Sequence, residues 1–442
     1  MSPRHFGFLL TASLLAGCAA TGGAPRTAPL EDTSSMNRIA ESYVKLVLAV
    51  GQHDPDYVDA YHGPPEWKTE AEARKRPLPE IRSEAQGLLS GLGRQAPQPP
   101  QNEELVRLRH EYLTRQLESL VARVDLLSGK KMTFDEESKA LYDAVSPSYG
   151  REHYEEIQRR LETILPGEGP LPARVQAFRD QFVVPPDKVD AVFRAAVDEC
   201  RRRTLPHIQL PPGESFVIEY VTGKPWSAYN WYKGNYHSLI QLNTELPIFI
   251  DRAIDLACHE GYPGHHVYNA LLEKNLGKDR GWPEFTVYAL FSPQSLIAEG
   301  TANFGIEVAF PGDERIAFER DVLFPLAGLD PSKVATFYEA ARLGRDLTYA
   351  GNEAARGYLN GTMTAEQTVE WLTRYNLMPL ERAQQRLKFF DQYRSYVINY
   401  NLGEDLVREY IERRGGTADN PEKRWEEFEK LLSSPRLPSG LR

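Results

Sequence analysis

The sequence predicts a mainly α protein: one large helical body with a small antiparallel β-sheet just ahead of a histidine-rich helix. Three observations carry this. Apolar residues recur at helical spacing through most of the 442-residue chain. The stretch from Phe216 to Leu242 is instead aromatic and β-branched, broken into short runs by Gly, Pro and Asn. No internal repeat and no clear linker separates Met36 from Leu441. A hydrophobic fraction of 41% suffices for a large core, and a formal net charge of -10 argues against nucleic acid as a partner, which would call for a basic face.

From the N-terminus, Arg4 and His5 precede an apolar stretch, Phe6 to Leu15, that runs into Leu15, Ala16, Gly17 and Cys18. Charge, apolar run and small residues in that order make a signal peptide. The Leu-Ala-Gly-Cys tetrad resembles the lipobox of bacterial lipoproteins, which implies that Cys18 is acylated and becomes the first residue; Ala19 after it resembles outer-membrane sorting signals. Residues 19–35, rich in small residues, Pro and Thr, read as a flexible tether, and a single domain is expected over 36–442 with its motif-bearing core at about 215–400. No later run of about 20 uncharged apolar residues follows, so the membrane is expected to be met through the N-terminal lipid only.

Ile39, Tyr43, Val44, Leu46, Val47 and Val50 mark a first helix from Asn37, followed by loops at Gly51 to Pro65 and Gln95 to Gln101. Leu105, Leu108, Tyr112, Leu117, Leu120, Val121, Val124 and Leu127 give one long amphipathic helix. Further helices are expected at Asp135 to Val145, Arg151 to Ile164, Leu171 to Phe182 and Pro186 to Arg203, the last ending in a solvated arginine run. Strands follow at Phe216 to Val221, Ala228 to Tyr232 and Ser238 to Leu242, an antiparallel sheet to which an extended peptide could add. Helices resume at Pro247 to Glu273, Pro293 to Phe310, Ser332 to Asn352, Ala365 to Tyr375, Pro379 to Tyr400 and Pro421 to Leu432. Apart from Cys18, only Cys200 and Cys258 remain; their pairing is open, and Cys258 reads as buried packing.

Three histidines and a glutamate fall between His259 and His266. In a His-Glu-x-x-His motif two imidazoles one helical turn apart face one zinc, and the glutamate takes a proton from activated water. Here His259 and His265 are too far apart for an unbroken helix, since six residues rotate a side chain by about 240°. Gly261, Pro263 and Gly264 can break the helix, and looping out two residues would restore the one-turn relation. His265 is therefore preferred to His266 as second ligand, with His266 facing substrate or backing the site. A third ligand is expected from Glu299, with Glu307 in reserve, and Asn303 one turn beyond Glu299 would orient a histidine. Otherwise the histidines would merely stabilise a kinked buried helix, at a high cost in buried ionisable groups.

The His-Glu-x-x-Pro-Gly-His-His segment, His259 to His266, and the later Glu299-Gly300 pair resemble the bacterial family catalogued as domain of unknown function 885 (DUF885), a gluzincin-like group of zinc metallopeptidases. Thr301, Ala302 and Asn303 depart from the Trp-Ala-Leu usual there. The resemblance implies one zinc ion on His259, His265 and Glu299, and a peptide or other small amide as substrate, with Glu260 as general base. Tyr396 is the first choice for a donor to the oxyanion, Tyr393 and Tyr400 follow, and Arg394 is a candidate carboxylate clamp. Trp226, Tyr229, Trp231 and Tyr236 could line a cleft beside the sheet. A hydrolase of another amide or ester, or a non-catalytic zinc- or partner-binding lipoprotein, would share the same motif.

Overall fold

A helix apolar on every side has to be buried, and Pro293–Ala309 is one: only Asn303, Ile306 and Glu307 escape full burial along it. It forms the axis of the computed structural model, which describes residues 30–94, 104–224, 226–245 and 247–442. Cys18 and the segment before it lie outside the described residues. The body is mainly α, as the sequence predicts, and no helix among the described residues is long and apolar enough to cross a membrane.

Ile398–Arg413 lies along this axis, and the two helices cross where Gly300 faces Gly403. A Cβ on Gly300 would stand 2.4 Å from the carbonyl carbon and oxygen of Gly403. Glycines there let the backbones touch. Glu104–Leu127 buries one face and fastens to the core through Arg109, whose Nε and Nη2 donate to Glu284 at 2.6 and 2.9 Å.

Among the described residues, five short strands form two sheets. Strand β1 is Val58–Tyr61, β2 Ser215–Val221, β3 Ala228–Gly234, β4 His237–Asn243 and β5 Val287–Ala289. In the expected sheet β3 and β4 form an antiparallel hairpin, but β2 lies on the other side of β4 and parallel to it. The reason is the crossing connection between β2 and β3: the Asn243 amide donates to the carbonyls of Lys224 and Trp226 and holds it over the end of β4. In the second sheet β1, antiparallel to β5, falls within the expected loop Gly51 to Pro65.

Several expected helices are divided. The first starts at Leu30 rather than Asn37, and Pro65–Arg74 and Leu78–Arg94 are additional. Ser332 to Asn352 becomes Val334–Asp346 and Tyr349–Leu359. Pro379 to Tyr400 breaks after Leu380–Tyr393 because Arg394 takes a φ of 52°, so Tyr396 and Tyr400 belong to a turn and to the next helix.

Candidate metal centre

Asp251–Leu256 runs into a π-helical turn, Ala257–Gly261, and the chain then breaks before restarting as the helix His265–Leu272. At the break the Gly264 N–H donates to the Cys258 carbonyl at 2.9 Å, and a Cβ there would lie 1.9 Å from the His259 carbonyl oxygen. Only glycine fits so close a return of the backbone. The return brings the rings of His259 and His265 to 4.6 Å between centroids.

Glu299 supplies the third group, from the central helix. Its Oε2 is 3.2 Å from His259 Nε2 and 3.8 Å from His265 Nε2, and the three candidate ligand atoms lie within 4.8 Å of one another. Glu299 Oε1 accepts from the Tyr396 hydroxyl at 2.8 Å, whereas Oε2 is buried with no hydrogen-bond partner. A buried carboxylate oxygen that accepts no hydrogen bond costs on the order of 1–3 kcal/mol, offset here in part by the His259 imidazole at 3.2 Å. Two imidazole nitrogens and one carboxylate oxygen form a donor set that suits zinc, so the residues fit a divalent ion.

The surroundings aim these groups. His259 Nδ1 donates to Asn303 Oδ1 at 2.8 Å, and the Asn303 amide donates to the Tyr400 carbonyl at 3.0 Å, which fixes the amide orientation and turns Nε2 toward Glu299. Burial works against charge on His259, but the adjacent carboxylates of Glu299 and Glu260 outweigh it and bring its pKa to about 9. A cation arriving between them would displace that proton. Burial and the neighbouring His259 push His265 down to about 4. Burial raises the Glu260 carboxyl to about 7, His259 opposing the shift and Glu299 adding to it.

The centre opens into a cavity of about 1420 Å³ that Glu260, Tyr393, Tyr396 and Tyr400 also line. Trp226 and Tyr229 are on its wall; Trp231 and Tyr236 are not. Asp59, on β1, shares the wall. It is hydrogen-bonded by the Tyr229 hydroxyl, and burial lifts its carboxyl to about 7 against that bond. Sequence reading passes over it because the strand is too short to show an alternating pattern.

Other expected residues lie elsewhere. His266 is fully buried with Nε2 2.9 Å from Glu214 and Nδ1 2.9 Å from Ser238 Oγ, so it fastens the break to the sheet rather than joining the ligand atoms. Glu214 also accepts from Tyr262 and Arg201. Burial would raise its carboxyl, yet the hydrogen bonds from His266, Tyr262 and Arg201 prevail and hold it at about 2. Arg394 is no free clamp: its Nε donates to the buried Glu137 at 2.7 Å, outside the cavity. Glu307 pairs with Arg408 and stays out of the cluster. Cys258 is not unpaired packing but forms a disulfide with Cys200, because Val189–Thr204 packs against the π turn and brings the two Cα atoms to 5.7 Å.

No family model and no curated protein sequence matches the chain. Among solved structures it is similar to a candidate lipoprotein from Colwellia psychrerythraea, with 15% identity and a TM-score of 0.51 over 82% of this chain and 68% of that one. It is also similar to a candidate lipoprotein of unknown function from Shewanella oneidensis, with 13% identity and a TM-score of 0.45 over 94% and 79% of the two chains. At such identity the first likeness speaks for a shared fold alone.

Proposed function

We propose that the chain is an exported, zinc-dependent hydrolase, most simply a peptidase, tethered to the membrane by a lipid on Cys18. The observation that carries this reading is the buried Oε2 of Glu299, which accepts no hydrogen bond and stands 3.2 and 3.8 Å from the Nε2 atoms of His259 and His265. Three protein ligands beside a large cavity leave room for water or substrate, whereas structural zinc usually takes four. The motif's resemblance to DUF885 agrees with it, and the lipid anchor agrees with the description of the Colwellia psychrerythraea neighbour as a lipoprotein.

When bound, a zinc ion supplies Lewis acidity toward an acyl oxygen and eases deprotonation of water. The chain's own residues do the rest. Glu260, buried in the cavity wall next to His259, is the carboxylate placed to accept a proton and return it to a leaving amine. The Tyr396 hydroxyl is committed to Glu299, so Tyr396 positions that ligand. Tyr400 lines the cavity and its hydroxyl makes no hydrogen bond among the described residues; burial keeps the phenol protonated, so it is the donor available to a developing oxyanion.

Metal content of the full-length chain by mass spectrometry, compared with His259→Ala, Glu299→Ala and Glu260→Gln, tests this. About one zinc per chain is expected in wild type and Glu260→Gln and none in the ligand variants, with cleavage of a peptide library by wild type alone. A folded wild-type chain that takes up no zinc would overturn the proposal.

A further inference from the structure

The cavity that reaches the metal centre is also walled by arginines: Arg179, Arg252, and Arg382 and Arg386 on Leu380–Tyr393. In a chain of net charge -10, carboxylates to match them are plentiful. Arg252 has one, Asp255 at 3.1 Å. Arg386 has none: among the described residues no ion pair or hydrogen bond engages its guanidinium, and its Nε is sealed from solvent without an acceptor. Its flat group lies over Phe389, 4.5 Å from the ring centre, and over Phe390 at 5.6 Å. Arg382 donates to the side-chain oxygen of Gln385 at 3.5 Å, and the charged neighbours that act on it are Arg252 and Arg179. Burial draws both guanidinium groups below their usual pKa, with no carboxylate opposing it.

A half-buried cation with no counter-ion is costly, and a guanidinium held flat by aromatic rings keeps its fork of donors ready for a planar anion. The position matters as much as the charge. Phe389 beneath Arg386 stands 6.4 Å from the Tyr400 ring, Tyr400 stands 5.8 Å from Tyr396, and Tyr396 bonds Glu299. These rings link the guanidinium to Glu299 along one wall.

We propose that Arg386, with Arg382 beside it, receives the C-terminal carboxylate of a short peptide, so that the bond presented to the metal centre lies near the peptide's end. The placement of the scissile bond rests on the hydrolase reading; the capture of the carboxylate does not. Carboxylate is the chemistry the guanidinium recognises, and it can come from a chain terminus or from an Asp or Glu side chain.

The test is equilibrium binding by calorimetry to the full-length chain in detergent, carrying Glu260→Gln so that bound peptide is not consumed. The probes are acetyl-Ala-Phe, its C-terminal amide, and acetyl-Ala-Glu-amide, which bears only a side-chain carboxylate. The free acid should bind at least about tenfold more tightly than either amide. Arg386→Gln should abolish that preference while leaving the affinity for acetyl-Ala-Phe-amide within about twofold, and Arg386→Lys should keep part of it. Equal affinity for acid and amide, or binding of none of the three at millimolar concentration, overturns the proposal. Tight binding of acetyl-Ala-Glu-amide overturns the assignment to a chain terminus. If Arg386→Gln does not fold, Arg382→Gln and the comparison of acid with amide in the unaltered arginine site decide. Metal content separates this from the hydrolase reading: an acid preference lost in Arg386→Gln but present in a chain that holds no zinc refutes the hydrolase and leaves the carboxylate site standing. Zinc and cleavage without an acid preference do the reverse.

Discussion

Replacing Gly300 with alanine places a methyl group against the backbone of the neighbouring helix, next to a candidate metal ligand. The added Cβ would meet Gly403 C and O at 2.4 Å, and ordinary contact begins at 3.4 Å, so the two helices must part by about 1 Å. The obstacle is backbone in a helix, not a side chain that can swing aside. The cost therefore belongs at the upper end for an overfilled core, about 3 kcal/mol. Glu299 is the adjacent residue, and metal ligands tolerate only about 0.2 Å of misplacement, so zinc affinity should fall on the order of 10–100-fold. Two measurements read this: urea unfolding for stability, and competition with a fluorescent chelator for zinc. Gly403→Ala should do less, since its Cβ first meets the Leu296 carbonyl at 2.8 Å. Gly344→Ala, where nothing lies within 4 Å, should be neutral or slightly stabilising. If Gly300→Ala unfolds and binds zinc as the wild type does, the close crossing does not set the position of Glu299 and the reasoning fails.

Asn303→Ala should weaken zinc binding roughly 10–100-fold with little effect on unfolding, because His259 loses the acceptor that orients it; chelator competition checks this. Glu214→Gln should cost about 2 kcal/mol at pH 7, a discounted value for a carboxyl moved from 4.5 to about 2. The folded pKa is depressed, so this stability is present above the unfolded value and lost as pH falls through about 2. Urea unfolding of the two proteins should therefore differ at pH 7 and converge on acidification. The double variant Cys200→Ser/Cys258→Ser should lose about 4 kcal/mol, from a cross-link spanning 58 residues; a loss below about 1 kcal/mol would mean that the reduced chain is already constrained there.

The helices and the three candidate ligands were legible because their signals are local. A 3.6-residue period needs only its own segment, and Gly261, Pro263 and Gly264 announce a break that returns His265 to His259. What was not legible depends on partners far along the chain. Strand β1 pairs with β5 more than two hundred residues later, so Asp59 carried no sign that it would face the cavity. The spacing ranks His266 below His265 as a ligand but does not show its partners, Glu214 and Ser238, which take both its nitrogens. Arg394 looked free because nothing nearby in sequence reveals that Glu137 takes it. The run of helix through Tyr400 hid the turn at Arg394, a non-glycine residue with positive φ that no propensity would place there.

The Cys200–Cys258 bond has a meaning for metal choice that its role as a staple does not exhaust. Reduced, Cys200 and Cys258 would present two thiols side by side, a soft donor pair separate from the cluster of His259, His265 and Glu299 and competing with it for metal. Once the two are joined, neither sulfur is a thiolate. Oxidation thus removes a soft pair that favours copper(I), and leaves the nitrogen and oxygen donors of the neighbouring cluster to select the ion. A chain that meets metal only after it meets oxidant is in this way protected from loading the wrong one.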